Sequence, residues 1–126
     1  MSARAVVEDY LLEVLGGSKQ MPAEALVASE DLRRRTEILR DAFPDLDVDV
    51  VALVAEDDLV AAHLRARGTH LGLFQGSPPT GRQCEMRCTG IYRVESGRIT
   101  EAFVTWDTLS LMEQLGAVER VADVSA

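Results

Sequence analysis

A chain of 126 residues is the size of one domain and can bury enough apolar surface to fold without metals or disulfides. With 47% hydrophobic and 27% charged residues it is neither a disordered nor a membrane protein by composition, and its net charge of −8 argues against nucleic-acid binding. Acidic residues interrupt the N-terminus before any long apolar run, unlike in a signal peptide, so we expect one cytoplasmic domain over residues 1–126 with its core at about 3–118.

The N-terminal third predicts helices. Apolar positions over residues 3–15 recur at steps of three and four, which indicates an amphipathic helix that ends at Gly16-Gly17. A second helical pattern starts at Pro22 and stops at Pro44, with an interruption allowed near Ser29. Its apolar positions are Leu26, Leu32, Ile38, Leu39 and Phe43.

From residue 45 onward the period changes to two, which is typical of half-buried strands. Strands are predicted over residues 45–54 and 59–67, separated by a turn at Glu56-Asp57-Asp58. Residues 83–94 and 98–106 predict a hairpin closed at Glu95-Ser96-Gly97, and a short helix over 108–115 stops at Gly116. Residues 119–126 are predicted to be a loose tail.

Helices followed by antiparallel strands indicate an α+β fold, with the helices packed on one face of a curved sheet. The segment GTHLGLFQGSPPTGR, residues 68–82, joins two of the strands. It lacks the lysine of a phosphate loop and leads into a strand instead of a helix, which argues against a phosphate-binding role.

Neither a metal nor a cofactor is expected. Cys84 and Cys88 lie in one predicted strand roughly 13 Å apart, too far for a disulfide. The run Asp45-x-Asp47-x-Asp49 imitates a calcium loop, but Val50 stands where such a loop needs glycine. The single basic cluster, Arg33-Arg34-Arg35, lies among acidic residues and predicts a solvated, ion-paired helix face.

Five motifs in order carry a family resemblance. They are Ala42-Phe43-Pro44-Asp45-Leu46, Gly68-Thr69-His70-x-Gly72, Gly76-x-Pro78-Pro79-Thr80-Gly81-Arg82, Tyr92-Arg93-Val94-x-x-Gly97-Arg98-Ile99, and Trp106-Asp107 with Gln114-Leu115-Gly116. Over residues 6–116 the chain resembles the SnoaL-like polyketide cyclases, which share the cone-shaped α+β fold of nuclear transport factor two, scytalone dehydratase and ketosteroid isomerase. The resemblance implies N-terminal helices on a curved, mainly antiparallel sheet that forms a cone, with a short C-terminal helix. It also implies that residues 68–82 carry the chain around one end of the cone, so that their glycines and prolines form a corner.

The resemblance also shows three departures from the family's chemistry. The aspartate that family cyclases place on the last strand aligns with Val104, and a polar partner on the preceding strand aligns with Gly90. The family's early histidine has no counterpart. These departures argue against the family's aldol-type ring closure in this chain.

Strand alternation describes the cone's inner face. If Val104 faces inward, that face comprises Met86, Cys88, Gly90, Tyr92, Ala102, Val104 and Trp106. If the cone is hollow, such a lining suits a flat hydrophobic ligand. The alternative is that the same side chains fill the interior and form part of the core.

Each individual candidate has two interpretations. His70 is either a general acid or base or the anchor of the glycine-rich corner, and Asp107 either caps the last helix or forms a proton-transfer pair with His70. Tyr92 either offers its hydroxyl to a ligand or packs. Cys88 would be a nucleophile only beside a base, and its strand offers none.

We therefore expect a protein of secondary metabolism whose apolar cone binds a polyketide- or terpenoid-like metabolite and assists cyclisation, isomerisation or dehydration. The alternative is a non-catalytic binding or protein-interaction module that has lost the family's aspartate. The family usually pairs through the outer sheet face, which implies a homodimer with His63, Arg65 and Arg67 at that face, and neither a nucleic acid nor a membrane as partner.

Overall fold

The computed structural model describes residues 1–16 and 21–119. The predicted tail and Gly17 thus lie outside the described residues, apart from Glu119. No helix in the described ranges is long and apolar enough to cross a membrane. The cytoplasmic location stays a prediction.

The first helix occupies the predicted span but changes its winding. Helix α1, Ala3–Asp9, continues as a π-helical segment, Tyr10–Leu15, whose last turn closes with a 3.0 Å hydrogen bond from the Gly16 amide to the Leu11 carbonyl. The buried residues recur as pairs at intervals of four: Val6 and Val7, Tyr10 and Leu11, Val14 and Leu15. Residues four apart do not stay on the same side of an α-helix, because it has 3.6 residues per turn. The wider turn of the π-helix brings the later pairs back to the side that faces the core. All three pairs therefore stay buried.

The second predicted helix is two helices. Helix α2, Ala23–Leu26, is separated from α3, Glu30–Ala42, by the expected interruption, where the Ser29 hydroxyl caps α3 by accepting from the Leu32 amide at 3.2 Å. Leu26, Leu32, Leu39 and Phe43 are buried as predicted. Ile38 is not, since it is 47% exposed on the outer side of α3.

The sheet has four antiparallel strands in chain order: β1 Asp47–Glu56, β2 Leu59–Thr69, β3 Gln83–Glu95 and β4 Arg98–Trp106. The β3–β4 hairpin turns through Ser96 and Gly97, which both have positive φ (52° and 76°), as a two-residue type I′ turn requires. In β1 the register shifts between Val50 and Ala52, so Val51 bulges. The bulge shifts the inward alternation by one residue, so that Leu53 instead of Val54 faces the helices, and Val51 and Val54 are exposed.

The helices cover one face of the sheet. On that face β2 contributes Val60, Ala62, Leu64 and Ala66, all buried as the alternation predicts. On the opposite, outer face of β2, Arg67 pairs with Asp47 and Asp49 at 3.6 and 3.4 Å, and Arg65 pairs with Glu85 at 3.6 Å. His63 lies beside them, partly exposed.

The glycine-rich segment turns the corner between β2 and β3, as predicted. Its ends are joined by backbone hydrogen bonds of 2.9 Å, from the His70 amide to the Arg82 carbonyl and from the Gly81 amide to the His70 carbonyl. The loop packs tightly on the end of α3, since a Cβ at Gly72 would collide with the Asp41 carbonyl.

Helix α4, Thr108–Gln114, closes the end of β3. Leu111 and Leu115 are buried, and Gly116 ends the helix with φ +76°. The Gln114 side chain amide hydrogen-bonds the backbone of Glu85 in both directions, accepting from its N–H and donating to its C=O at 2.8 Å each.

Candidate functional site

Two connected spaces lie at the open end of the cone. A cleft of about 240 Å³ separates α3 from the start of α4 and is bounded by the loop after β2 at Phe74 and Gln75. Beneath it is a void of about 20 Å³ lined by both Tyr10 and Tyr92. The side chains that line both spaces are Arg35, Leu39, Val104 and Trp106. The void has room for about one water molecule, so the depth of the cone is packed and its mouth is open.

Broader depressions lie elsewhere on the surface. One of about 360 Å³ lies at the turn between β1 and β2, where the acidic residues of the turn meet Val54, Leu59 and Ile91, and it is open to solvent. One of about 420 Å³ lies at the ends of β1, β2 and β3, and one of about 450 Å³ lies beside Glu37 and Asp41. Both are shallow, and charged or polar side chains predominate in their walls. Neither has the enclosure that would hold a small apolar ligand.

The seven residues predicted for the inner face do face inward. Met86, Cys88, Gly90 and Tyr92 are buried, and Ala102, Val104 and Trp106 are half-buried. Across the hairpin, Cys88 lies opposite Trp106, Gly90 opposite Val104, and Tyr92 opposite Ala102. Of the seven, Tyr92, Val104 and Trp106 line the cleft or the void, and the other four line neither. Their role in binding stays a prediction.

A pair of tyrosines forms the floor of the site. The rings of Tyr10 and Tyr92 are 6.0 Å apart between centroids and tilted by 54°. Tyr10 Oη lies 2.7 Å from Thr36 Oγ1, which itself donates to the Leu32 carbonyl at 2.7 Å. Since the Thr36 hydroxyl has one proton, Tyr10 must be the donor of the first bond.

Tyr92 folds back over the sheet. Its hydroxyl lies 2.6 Å from the position that a Cβ on Gly90 would take, and it hydrogen-bonds to no residue in the described part of the chain. Burial raises the pKa of Tyr10 to about 12 and raises that of Tyr92 further. Both phenols are therefore neutral hydrogen-bond donors near pH 7.

Cys88 adjoins this floor and is unreactive. Burial raises the pKa of its thiol to about 12, while the positive charge of Arg35 acts in the opposite direction. Cys84 and Cys88 are both buried free thiols, in agreement with the prediction that they do not pair.

Arg35 is the polar group of the cleft that the sequence analysis missed. Its Nη2 donates to the Val104 carbonyl on β4 at 3.2 Å, and its Nη1 donates to Asp31 at 3.4 Å. The ion-paired surface predicted for the three arginines fits Arg34, which pairs with Asp31 at 2.6 Å. Helical spacing was the available signal, because Arg35 lies three residues after Leu32 and four before Leu39, the buried stripe of α3.

His70 lies outside both spaces. The ring is fully buried, 5.7 Å from that of Phe43, and its Nδ1 accepts the Thr80 backbone N–H at 3.2 Å and lies 3.0 Å from Thr80 Oγ1. A neutral imidazole that accepts at Nδ1 holds its proton on Nε2, which has no hydrogen-bond partner among the described residues. These contacts are those of an anchor for the corner.

Asp107 is exposed and caps α4, where its Oδ1 accepts from the Ser110 amide at 3.1 Å. No hydrogen bond joins it to His70 in the ranges that the structure describes, so the suggested proton-transfer pair is not assembled there.

The architecture defines the class of protein. An open antiparallel sheet covered on one face by N-terminal helices, with a cleft at the end closed by a short C-terminal helix, is the cone-shaped α+β fold of the SnoaL and nuclear transport factor two class. The chain belongs to the SnoaL-like polyketide cyclase family, whose family model matches residues 6–115.

Solved structures agree with this assignment. AclR of Streptomyces galilaeus, a proposed hydroxylase, is 32% identical with a TM-score of 0.66, over 78% of this chain and 62% of AclR. IdmH of Streptomyces antibioticus, a proposed polyketide cyclase, is 27% identical with a TM-score of 0.67, over 92% and 99% of the two chains. A proposed polyketide cyclase of Acidithiobacillus ferrooxidans shares the fold at 24% identity and a TM-score of 0.76, over 91% and 94%. Comparison with curated proteins gave no significant match.

Proposed function

We propose that this cytoplasmic protein binds a hydrophobic, polyketide- or terpenoid-like metabolite in the cleft and assists its cyclisation, isomerisation or dehydration. The observation that carries the proposal is the cleft of about 240 Å³ that leads to the tyrosine floor. This volume is slightly below the roughly 300 Å³ at which pockets for drug-sized ligands begin, so the cleft would hold one or two fused rings. The rest of a larger ligand would lie over the exposed Ile38 on the cleft wall.

Assistance would come from shaping the substrate and excluding water. No carboxylate and no imidazole occurs among the described residues that line the cleft and the void. The charged group there is the Arg35 guanidinium, which lines both spaces, and the Tyr92 hydroxyl lines the void. Other polar side chains in the two linings are Gln75, Thr108, Tyr10 and Thr36. IdmH, a proposed polyketide cyclase that is 27% identical, supports a polyketide-like substrate class.

The second candidate is a binding module without catalysis. It is favoured by Val104, which occupies the position where the family resemblance places an aspartate and which lines both spaces. The neutral phenols and thiol of the floor add no proton acceptor near pH 7.

A titration with 2-tetralone, an enolisable bicyclic ketone, tests the proposal. Trp106 is the single tryptophan of the chain and lines the cleft, so its fluorescence reports occupancy. Val104→Phe should fill the cleft and abolish binding, whereas Thr105→Phe adds the same volume on the outer face of the same strand and should not. Absence of saturable binding, or equal binding to both variants, would refute the proposal.

Deuterium uptake at the α-carbon of bound 2-tetralone separates the two candidates. Exchange above the rate in buffer by the wild type indicates an enzyme, and binding without exchange indicates the module. Val104→Asp should add exchange if the cleft is a catalytic pocket that has lost its acid, because the new carboxylate would stand beside the bound ketone.

We also propose a homodimer through the outer face of the sheet. One cross-strand row on that face, Val54, Ala61, Ile91 and Phe103, is apolar, and Val54 and Phe103 are each 66% exposed. The ion pairs of Arg65 and Arg67 lie along the same face. An apolar row bordered by charges is typical of a subunit interface.

A further inference from the structure

Arg35 stands between the cleft and the void. Its side chain extends from α3 to the Val104 carbonyl on β4, and it lines both spaces. A ligand that enters the cleft therefore meets the guanidinium before it reaches the tyrosine floor.

The charge of Arg35 is only partly compensated. Its acidic neighbour Asp31 is shared with Arg34, which is closer to it, at 2.6 Å compared with 3.4 Å. The two hydrogen bonds that Arg35 makes use one N–H from each terminal nitrogen, so three of its five N–H groups have no partner among the described residues. One positive charge and several donors thus remain for a ligand.

The Tyr92 hydroxyl lies over the residue that is paired with Val104 across the hairpin. It covers Gly90, and Gly90 is paired across the hairpin with Val104, whose carbonyl accepts from Arg35. Directly paired residues in antiparallel strands have Cα atoms about 5 Å apart. Both groups line the same void.

The charge of Arg35 acts on the residues at the tyrosine floor. The positive charge of Arg35 lowers the pKa values of Tyr10, Tyr92 and Cys88, in opposition to the larger effect of burial. The same field would stabilise negative charge on a ligand oxygen beside Arg35.

We propose that Arg35 and Tyr92 form a binding site for a negatively charged oxygen, so that the cleft takes fused-ring hydroxy or keto compounds as their phenolates or enolates. The inference rests on the proposed function, since it requires a ligand in the cleft. When a phenol binds in this way its O–H bond breaks heterolytically, the electron pair stays on oxygen, and the proton passes to the solvent buffer. The site thus selects an acidic hydroxyl next to a flat ring system over the same ring system without one.

A pair of coumarins tests this selection. 7-Hydroxycoumarin has different absorption spectra as phenol and phenolate, and 7-methoxycoumarin has the same rings without an ionisable hydroxyl. Affinities come from quenching of Trp106, and the apparent pKa of the bound hydroxycoumarin comes from its absorbance across pH. Wild-type protein should lower that pKa relative to the free dye.

The variants assign the effect to particular groups. Arg35→Met should weaken phenolate binding about tenfold, which raises the apparent pKa of the bound dye by about one unit, and should leave the affinity for methoxycoumarin unchanged. Arg40→Met removes the same charge from a residue of α3 that lines neither the cleft nor the void and does not share Asp31, and it should change neither. Tyr92→Phe should produce a smaller loss for the phenolate alone. Arg35→Lys, which keeps the charge, should recover part of the binding and serves if Arg35→Met unfolds.

The outcomes separate this inference from the proposed function. Equal binding of both coumarins to wild type, an unchanged phenolate affinity in Arg35→Met, or an equal loss in Arg40→Met would overturn the oxyanion site and leave the ligand-binding cleft standing. Failure of both coumarins and of 2-tetralone to bind would overturn the cleft and the oxyanion site together.

Discussion

Replacing Gly90 with alanine tests whether the Tyr92 ring is fixed over the sheet. The added Cβ would lie 2.6 Å from Tyr92 Oη and 2.8 Å from both Cζ and Cε2, closer than real Cβ contacts allow. The ring is 1% exposed and packs against Tyr10, and the void beside it has room for only about one water molecule, so the ring can move little. Overpacking of this kind costs about 1–3 kcal/mol, and the loss of glycine's freedom in the unfolded chain offsets about 0.4–1 kcal/mol.

We therefore expect Gly90→Ala to lower the free energy of unfolding by about 1–2 kcal/mol, measured by urea denaturation with an unchanged m-value. In a Tyr92→Leu background the clash is gone, and the same substitution should be neutral or stabilising. A stable Gly90→Ala single variant, or an equal penalty in both backgrounds, would show that Tyr92 does not lie where the structure places it.

Three further predictions concern the loop, the floor and the outer face. Thr80→Val removes the hydroxyl beside His70 Nδ1 and should cost about 1 kcal/mol in thermal unfolding, while Thr80→Ser should not. The pKa values of Tyr10 and Cys88, each raised to about 12 from 10.0 and 9.0, mean that the folded state keeps protons that the unfolded chain has lost. Stability should be complete below about pH 9 and fall toward pH 12, by up to about 1.4 kcal/mol per pH unit and group, and Tyr10→Phe should flatten the decline in pH-dependent urea titrations. Phe103→Glu should convert a dimer to a monomer in sedimentation at micromolar concentration, while Phe103→Leu should not; a monomeric wild type would contradict the dimer.

Periodicity was sufficient to predict the elements of this fold. The alternation of β2 and β3 predicts their buried faces correctly, because one side of the sheet is covered by helices and the other is not. The turn glycine at Gly97 and the caps at Ser29 and Asp107 mark boundaries by local chemistry. These signals act over a few residues and can be read without the tertiary structure.

Features set by tertiary packing could not be predicted from local sequence signals. The run from Val50 to Val54 is apolar throughout, and nothing in it locates the bulge at Val51. Three successive arginines look alike in the sequence, and only the helical phase of α3 turns Arg35 toward β4. The inner-face residues were identified, but the space left between them depends on how the Tyr92 ring folds over Gly90.

The bond between Gln114 and Glu85 has a consequence for solubility. Strand β3 extends beyond the end of β4, since the pairing of the two strands ends with Trp106 opposite Cys88. The backbone of β3 on the Gln83 side of Cys88 would therefore be open to another chain. The Gln114 amide fills both hydrogen-bonding positions of Glu85 as a further strand would. The part of the edge occupied in this way offers no template for strands from neighbouring molecules, so one side chain protects this end of β3 against edge-to-edge association.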